Sequence, residues 1–246
     1  MIGDSSYNVS IHHNLLAHND FRNPLVAGGG THDFVNNLVY DWGVLAAEVV
    51  DYDSNSFLNF AGNYFLPGPS TQGGLYEVLI STEKGIPRIY AEGNLGPHRP
   101  HPGLDEWVIV GYGYGGEGIA PEIYRSLAPF PVPAVAASSA EEALARVLEA
   151  AGATLPRRDQ VDRRVVAEVR SGGGAIIDSP EQVGGYPDLD PGAPPLDSDH
   201  DGMPDGWEQQ WGLDAHNPAD GNGDLDGDGY TNVEEYLHYL SRGCRG

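Results

Sequence analysis

The feature of this sequence that most constrains its fold is a repeated asparagine. Four strand-like segments between residues 8 and 98 carry an asparagine at the same place, namely Asn14, Asn37, Asn63 and Asn94. Their spacings of 23, 26 and 31 residues are typical of stacked structural repeats. Short β segments with turns of uneven length predict a parallel β-helix with one coil per repeat, in which the asparagines hydrogen-bond along one corner. A β-sandwich in which the asparagines align by coincidence is the alternative.

The segment after the repeats predicts a covering layer on the coils. Residues 99–137 are rich in proline and glycine, which indicates an extended wrap. A helix follows Ser139, which forms a capping-box pattern with Glu142. We expect a second helix over about 159–170 and a short strand over 175–177, and we interpret both helices as scaffold.

Negative charge is concentrated near the C-terminus. The chain of 246 residues has a net charge of −23, and residues 197–235 contain 12 Asp or Glu and no Lys or Arg. Such a block either stays solvated or binds cations. It argues against a nucleic-acid partner, because phosphates are bound by Lys and Arg. No apolar run is long enough to span a membrane, and the single cysteine, Cys244, excludes a disulfide within the chain.

The acidic block contains two copies of the calcium-binding EF-hand loop pattern, here called loop 1 (residues 197–208) and loop 2 (residues 224–235). Oxygen ligands at positions 1, 3 and 5, a glycine at position 6 and a glutamate at position 12 suit Ca²⁺, with a backbone carbonyl at position 7 and a ligand at position 9 that binds directly or through water. The predicted ligands are Asp197, Asp199, Asp201, Met203, Asp205 and Glu208 in loop 1, and Asp224, Asp226, Asp228, Tyr230, Asn232 and Glu235 in loop 2.

Each loop runs into a predicted helix, but prolines precede both loops where an entering helix would lie. These half EF-hands resemble dockerin-like or thrombospondin type 3-like calcium repeats. The resemblance implies a folding or anchoring module, and the alternative is a solvated acidic tail. The predicted organisation is therefore β-helix coils over 1–104, a helical wrap over 105–190, a linker over 191–196 and a calcium-binding tail over 197–243.

Three blocks of the sequence resemble pectate lyases of polysaccharide lyase family 1. The first runs from His12 to Asn19 and into Arg22, the second covers residues 32–43, and the third covers residues 143–178. The resemblance implies an all-β fold, a right-handed parallel β-helix represented here by its C-terminal coils, with a helical wrap and a small α-helical EF-hand-like tail. It also implies a secreted protein.

The family cleaves α-1,4-linked galacturonan by β-elimination, with calcium bound to the substrate carboxylate, so the implied partner is polygalacturonate or pectin. The resemblance makes Arg22 the catalytic base. A guanidinium loses its proton only at strongly alkaline pH, so Arg22 stabilising the enolate-like charge is an equal alternative, and a surface arginine without a role is a third.

Two departures from the family pattern limit the activity expected of this chain. A second basic residue often lies five positions after the catalytic arginine, and here that position is Ala27. The family's calcium carboxylates and substrate-binding lysine precede the arginine block. We therefore expect the C-terminal portion of a pectate lyase with weak or no activity by itself. A non-catalytic, pectin-binding or surface-binding β-helix is the alternative. The histidines His12, His13, His18 and His32 are interpreted as structural.

Overall fold

The computed structural model describes residues 1–3, 6–51, 55–74, 76–82, 85–155, 157–188 and 192–242. The predictions for Cys244 and for the two ends 191 and 243 of the linker and tail lie outside these residues. The chain divides into two compact units. The coil unit contains Met1–Gly152 and Gln160–Tyr186, and the acidic unit contains Ala153–Asp159 and Pro187–Gly246.

The coil unit contains eleven described strands in three sheets. The strands are β1 (Ser10–His12), β2 (Leu15–Ala17), β3 (Leu25–Val26), β4 (Gly30–Val35), β5 (Leu38–Tyr40), β6 (Ala47–Asp51), β7 (Ser56–Ala61), β8 (Tyr64–Leu66), β9 (Val78–Thr82), β10 (Arg88–Glu92) and β11 (Val110–Tyr112). The sheet orders are β1-β4-β7-β10, β2-β5-β8 and β3-β6-β9-β11.

Every described strand pair in these sheets is parallel. From β1 to β9, consecutive strands enter the three sheets in the same cyclic order, so each circuit of three strands lies beside the previous circuit. The predicted parallel β-helix fits this topology. A β-sandwich of antiparallel sheets does not.

The four repeated asparagines form the predicted hydrogen-bonded column. The side-chain oxygen of Asn37 accepts the backbone N–H of Asn14 at 3.0 Å, Asn63 does the same for Asn37 at 2.9 Å, and Asn94 for Asn63 at 3.0 Å. The side chains of Asn37, Asn63 and Asn94 are fully buried, whereas Asn14 is exposed. Each coil is therefore joined to the next at one corner by amide groups shielded from water.

The residue before each column asparagine turns the chain through that corner. His13, Asn36, Gly62 and Gly93 have φ values of +57°, +53°, +60° and +67°, in the left-handed region. Glycine adopts this conformation readily and asparagine more readily than most other residues. At this turn the chain passes from a strand of the β1-β4-β7-β10 sheet towards the β2-β5-β8 sheet. The strands of the first sheet therefore end at this corner.

Glu106 ends the column where a fifth asparagine would otherwise follow. Its Oε1 accepts the backbone N–H of Gly93 at 2.7 Å, and its Oε2 accepts that of Asn94 at 3.4 Å. Arg99 is buried, pairs with Glu106 at 2.7 Å and donates to the carbonyl of Asn94 at 2.6 Å. A buried cation without a carboxylate is destabilising, so this ion pair compensates the charge of Arg99 and holds Glu106 against the last coil.

The described residues form five α-helices, three in the coil unit and two in the acidic unit. The helices are α1 (Pro121–Tyr124), α2 (Ala140–Ala150), α3 (Gln160–Ser171), α4 (Asp205–Trp211) and α5 (Asn232–Ser241), with single 3₁₀ turns at Glu106–Ile109, Pro180–Val183 and Asp220–Asn222. The capping box of Ser139 with Glu142 is present. Val147 of α2 and Val166 of α3 pack in one cluster with Leu38 and Tyr40 of β5.

The predicted strand over 175–177 is wrong. This segment has no regular secondary structure, and the backbone N–H of Ile176 donates to the hydroxyl of Ser70 at 3.0 Å. A side-chain acceptor therefore takes the place of a neighbouring strand. The described part of the chain has no helix long and apolar enough to cross a membrane.

We predict that replacing an asparagine in the interior of the column destabilises the protein much more than replacing the asparagine at its exposed end. Replacing Asn63 by alanine leaves the buried N–H of Asn37 without its acceptor and removes the donors to Asn94 and to the carbonyl of Phe34. We expect a loss of about 3 kcal/mol or more in the free energy of unfolding, measured in urea with calcium present. Asn14→Ala, at the exposed end, is the matched control and is expected to lose under about 1 kcal/mol. Equal effects would contradict this account of the column.

Candidate functional site

Arg22 lies in a loop of residues 18–24, here called the arginine loop, that joins β2 to β3. Its side chain is exposed, and its φ is +67°. A non-glycine residue in this region is strained, and such strain is common where a side chain must point in a particular direction. The next residue, Asn23, is fully buried and hydrogen-bonded to Asn19. The loop therefore presents Arg22 outward from a fixed base.

The arginine loop is attached to the following coil. The carbonyl of Asp20 accepts the backbone N–H groups of Gly43 and Val44 at 3.1 and 2.9 Å, and Asn23 donates to the carbonyl of Ala46 at 2.8 Å. Gly43 has no room for a side chain, because a Cβ there would collide with the carboxylate of Asp20. Backbone hydrogen bonds on both sides of Arg22 therefore join this loop to the next coil.

The guanidinium of Arg22 lies against an aromatic ring. Its central carbon lies 4.8 Å from the centroid of the Phe21 ring, a cation–π geometry. Among the described residues it makes no ion pair or hydrogen bond. The five N–H donors of the guanidinium therefore remain available to an anionic ligand, and a planar carboxylate is the group that matches their geometry.

The surroundings of Arg22 offer little other positive charge or metal-binding chemistry. Ala27, at the position where the family often has a second basic residue, is only 5% exposed. In the described part of the coil unit, no three His, Cys, Asp or Glu side chains bring ligand atoms within 4.8 Å of one another. Arg22 is therefore considered by itself as the candidate functional residue of the coil unit.

The histidines near the arginine loop make contacts typical of structural residues. His32 is fully buried, with one ring nitrogen 3.1 Å from the carbonyl of Gly28 and the other accepting the N–H of Val9. His18 lies 2.7 Å from the buried carboxylate of Asp41 and 3.2 Å from Glu168 of α3. The exposed pair His12 and His13 is 3.0 Å apart at the ring nitrogens.

The two acidic loops share one hydrogen-bond pattern. The carboxylate of Asp197 accepts the N–H groups of His200 and Gly202, and that of Asp224 accepts those of Gly227 and Gly229. All four donors have positive φ, as the sharp turn of a calcium loop requires. The two loops therefore have the same local backbone conformation, and calcium binding by them stays a prediction.

Loop 1 gathers four carboxylates, of which one lies outside the predicted set. Ligand atoms of Asp199, Asp201, Glu208 and Asp220 lie within 4.8 Å of one another. Glu208 is 0% exposed, and neither of its oxygens has a hydrogen-bond partner among the described residues. Burial, reinforced by the charges of Asp199 and Asp201, raises the pKa of Glu208 to about 7. Such a group is stabilised by a bound cation.

Two predicted carboxylate ligands of loop 1, Asp197 and Asp205, are not in this cluster, and the backbone carbonyl of Met203 stays a predicted ligand. Asp197 uses its oxygens on the loop backbone. Asp205 accepts the N–H and the hydroxyl of Ser198, both at 2.7 Å, and the hydroxyl bond lowers its pKa. Met203 has a fully buried side chain, and its N–H donates to Asp201 at 2.9 Å. Asp205 thus braces the loop in this conformation.

Loop 2 is more open than loop 1. Asp224, Asp226 and Asp228 bring ligand atoms within 4.8 Å of one another, and all three are exposed. Glu235 is outside the cluster and lies 3.7 Å from the ring of His238. Asn232 occupies the position equivalent to Asp205 and likewise accepts a loop N–H, that of Leu225, at 3.0 Å. The N–H of the predicted ligand Tyr230 donates to Asp228.

No protein-family model matches the chain. Proteins named probable pectate lyase C are similar to it: that of Aspergillus flavus is 36% identical over 240 residues, that of Neosartorya fischeri 35% over 237 residues and that of Aspergillus terreus 35% over 242 residues. Each alignment covers 94% of this chain and 53% of the relative, so the chain spans about half the length of the curated relatives it matches. The chain is therefore similar, over nearly all of its length, to about half of each of these proteins named probable pectate lyase C.

Proposed function

We propose that the coil unit is the arginine-bearing portion of a secreted, pectate-lyase-type protein that acts on polygalacturonate. The observation that supports this most strongly is the exposed, unpaired guanidinium of Arg22 on a loop attached at both sides, in a chain homologous to pectate lyase C proteins over 94% of its length. In this proposal the substrate is an anionic sugar polymer, and Arg22 meets its carboxylate or the adjacent reacting carbon.

The reaction removes the proton from C5 of a galacturonate unit, and the glycosidic oxygen leaves from C4. Negative charge then accumulates beside a carboxylate that is already charged. Arg22 either accepts the C5 proton or stabilises this charge through its donors. Calcium bound to the substrate carboxylate supplies Lewis-acid stabilisation of the same charge.

Two observations limit the turnover that we propose for these 246 residues. The buried Ala27 provides no second cation for the substrate, and the described coil unit has no carboxylate cluster that would hold a catalytic calcium. We therefore propose weak or no lyase activity for this chain by itself. The same observations favour the second candidate function, a β-helix that binds pectin without cleaving it.

An assay with polygalacturonate and calcium separates these functions. Ultraviolet absorbance follows the unsaturated product of β-elimination, and co-sedimentation follows binding. For the lyase we expect a slow signal that a chelator removes and that Arg22→Ala lowers about 100-fold or more. Arg170→Ala, at an exposed arginine of α3, is the control and leaves the signal unchanged. Binding without product favours the second function, and fast turnover that survives Arg22→Ala would overturn the assignment of Arg22.

For the acidic unit we propose calcium binding that stabilises the folded loops. The buried, unpartnered Glu208 in a cluster of four carboxylates is the main support for this proposal. Hard oxygen ligands favour Ca²⁺, and bound metal removes the mutual repulsion of the carboxylates.

Thermal unfolding of the full chain tests this proposal. Calcium at 100 times its dissociation constant is expected to stabilise the acidic unit by about 2.7 kcal/mol relative to a chelator. Glu208→Gln should reduce this effect strongly, whereas Glu117→Gln, at an exposed glutamate of the coil unit, should not. A transition that is the same with calcium and with chelator would exclude the calcium module.

A further inference from the structure

We propose that Asp220, which lies outside both twelve-residue loops, is a ligand of the calcium ion of loop 1, so that this site is completed by the turn that leads into loop 2. This inference rests on the proposed calcium binding by the acidic unit. It assigns a residue that the loop pattern does not contain, and it makes the two loops one binding unit.

The free oxygens of the cluster support this assignment. Asp199 and Asp201 each use one oxygen to accept a loop N–H, from Asp201 and Met203 respectively. Asp220 uses its Oδ2 to accept the N–H of Asp214 at 2.9 Å. The other oxygen of each of these carboxylates is buried without a partner, as are both oxygens of Glu208. The four clustered residues therefore contribute five buried oxygens that have no hydrogen-bond partner among the described residues.

Five carboxylate oxygens without a hydrogen-bond partner are suited to bind a cation. Buried carboxylates without a partner are strongly destabilising, so this arrangement requires a compensating charge. Calcium takes six to eight oxygen ligands, and carboxylates such as Glu208 can bind it through both oxygens. Asp220 adds a fourth carboxylate to a loop whose Asp205 faces its own backbone.

The backbone around Asp220 connects loop 1 to loop 2. The side chain of Asn232 in loop 2 donates to the carbonyl of Asp220 at 2.7 Å, and the N–H of Asn232 donates to the carbonyl of Gly223 at 2.7 Å. Gly221 lies against loop 1, where a Cβ would be 2.6 Å from Oδ2 of Asp201. Calcium in loop 1 therefore orders the turn at Asp220–Asn222, and that turn is bonded to loop 2.

Loop 1 and loop 2 differ in their carboxylates, and this difference predicts which loop binds calcium first. Loop 1 has four clustered carboxylates with a buried Glu208, whereas loop 2 has three exposed aspartates and a Glu235 that lies outside the cluster. More charged ligands in a more rigid site give tighter calcium binding. Loop 1 is thus the tighter site, and its occupation prepares loop 2.

Calorimetric titration of the full chain with calcium tests the role of Asp220. Asp220→Asn keeps an oxygen for the N–H of Asp214 but removes the charge, and we expect the tighter binding step to weaken by about tenfold or more. Asp188→Asn makes the same charge change at an exposed aspartate of the acidic unit and should leave both steps unchanged. Gly221→Ala keeps every carboxylate and should also weaken the tighter step.

The outcomes separate this inference from the calcium proposal on which it rests. If Asp220→Asn binds like the unaltered chain while Glu208→Gln loses the tighter step, Asp220 is not a ligand, although the calcium module remains. If the unaltered chain binds no calcium, both are wrong. Circular dichroism in chelator shows whether each variant folds, and a variant that is unfolded without calcium but refolds with unchanged affinity also counts against Asp220.

Discussion

The hydrogen bonds of the asparagine column join each coil of the first unit to the next, and the rest of that unit depends on them. Asn37, Asn63 and Asn94 are buried, so their polar groups need hydrogen-bond partners within the protein. They find these partners in the equivalent asparagine of the adjacent coil, which sets the alignment of one coil on the next. The column lies at the corner between β1 and β2. The arginine loop follows β2 and is attached to the next coil by hydrogen bonds of its own, through Asp20 and Asn23. The conformation of this loop therefore depends on those bonds and on the stacking of the coils that brings the two segments together.

The acidic unit differs from the column, because it contains buried carboxylate oxygens without a hydrogen-bond partner among the described residues. In the column the side-chain amides of Asn37, Asn63 and Asn94 have protein partners, whereas five buried carboxylate oxygens of loop 1 and Asp220 have none among the described residues. The first arrangement is stable by itself. If the second binds calcium as we propose, folding of the acidic unit and occupation of its sites are linked. The proposal therefore predicts that a chelator affects the acidic unit and leaves the asparagine column unchanged.

Local patterns in the sequence predicted the parts of the structure that depend on local contacts. The spacing of the asparagines predicted the column, and Ser139 with Glu142 predicted the start of α2. The acidic pattern predicted segments in which carboxylates do come together, and calcium binding there stays a prediction. Glu106 and Asp220 were not predicted. Glu106 ends the column from outside the repeat, and Asp220 reaches loop 1 from a turn twelve residues after Glu208. Such contacts depend on how distant segments pack, and the short strand expected over 175–177 failed for the same reason.

Hydrogen exchange of the full chain with calcium, with and without an oligogalacturonate, tests most directly whether the arginine loop contacts the substrate. The account predicts slower exchange in residues 18–24 and in residues 43–46, which hold that loop, when the sugar is present. Binding of the sugar with unchanged exchange in residues 18–24, and with protection confined to the acidic unit, would contradict the central role given to Arg22.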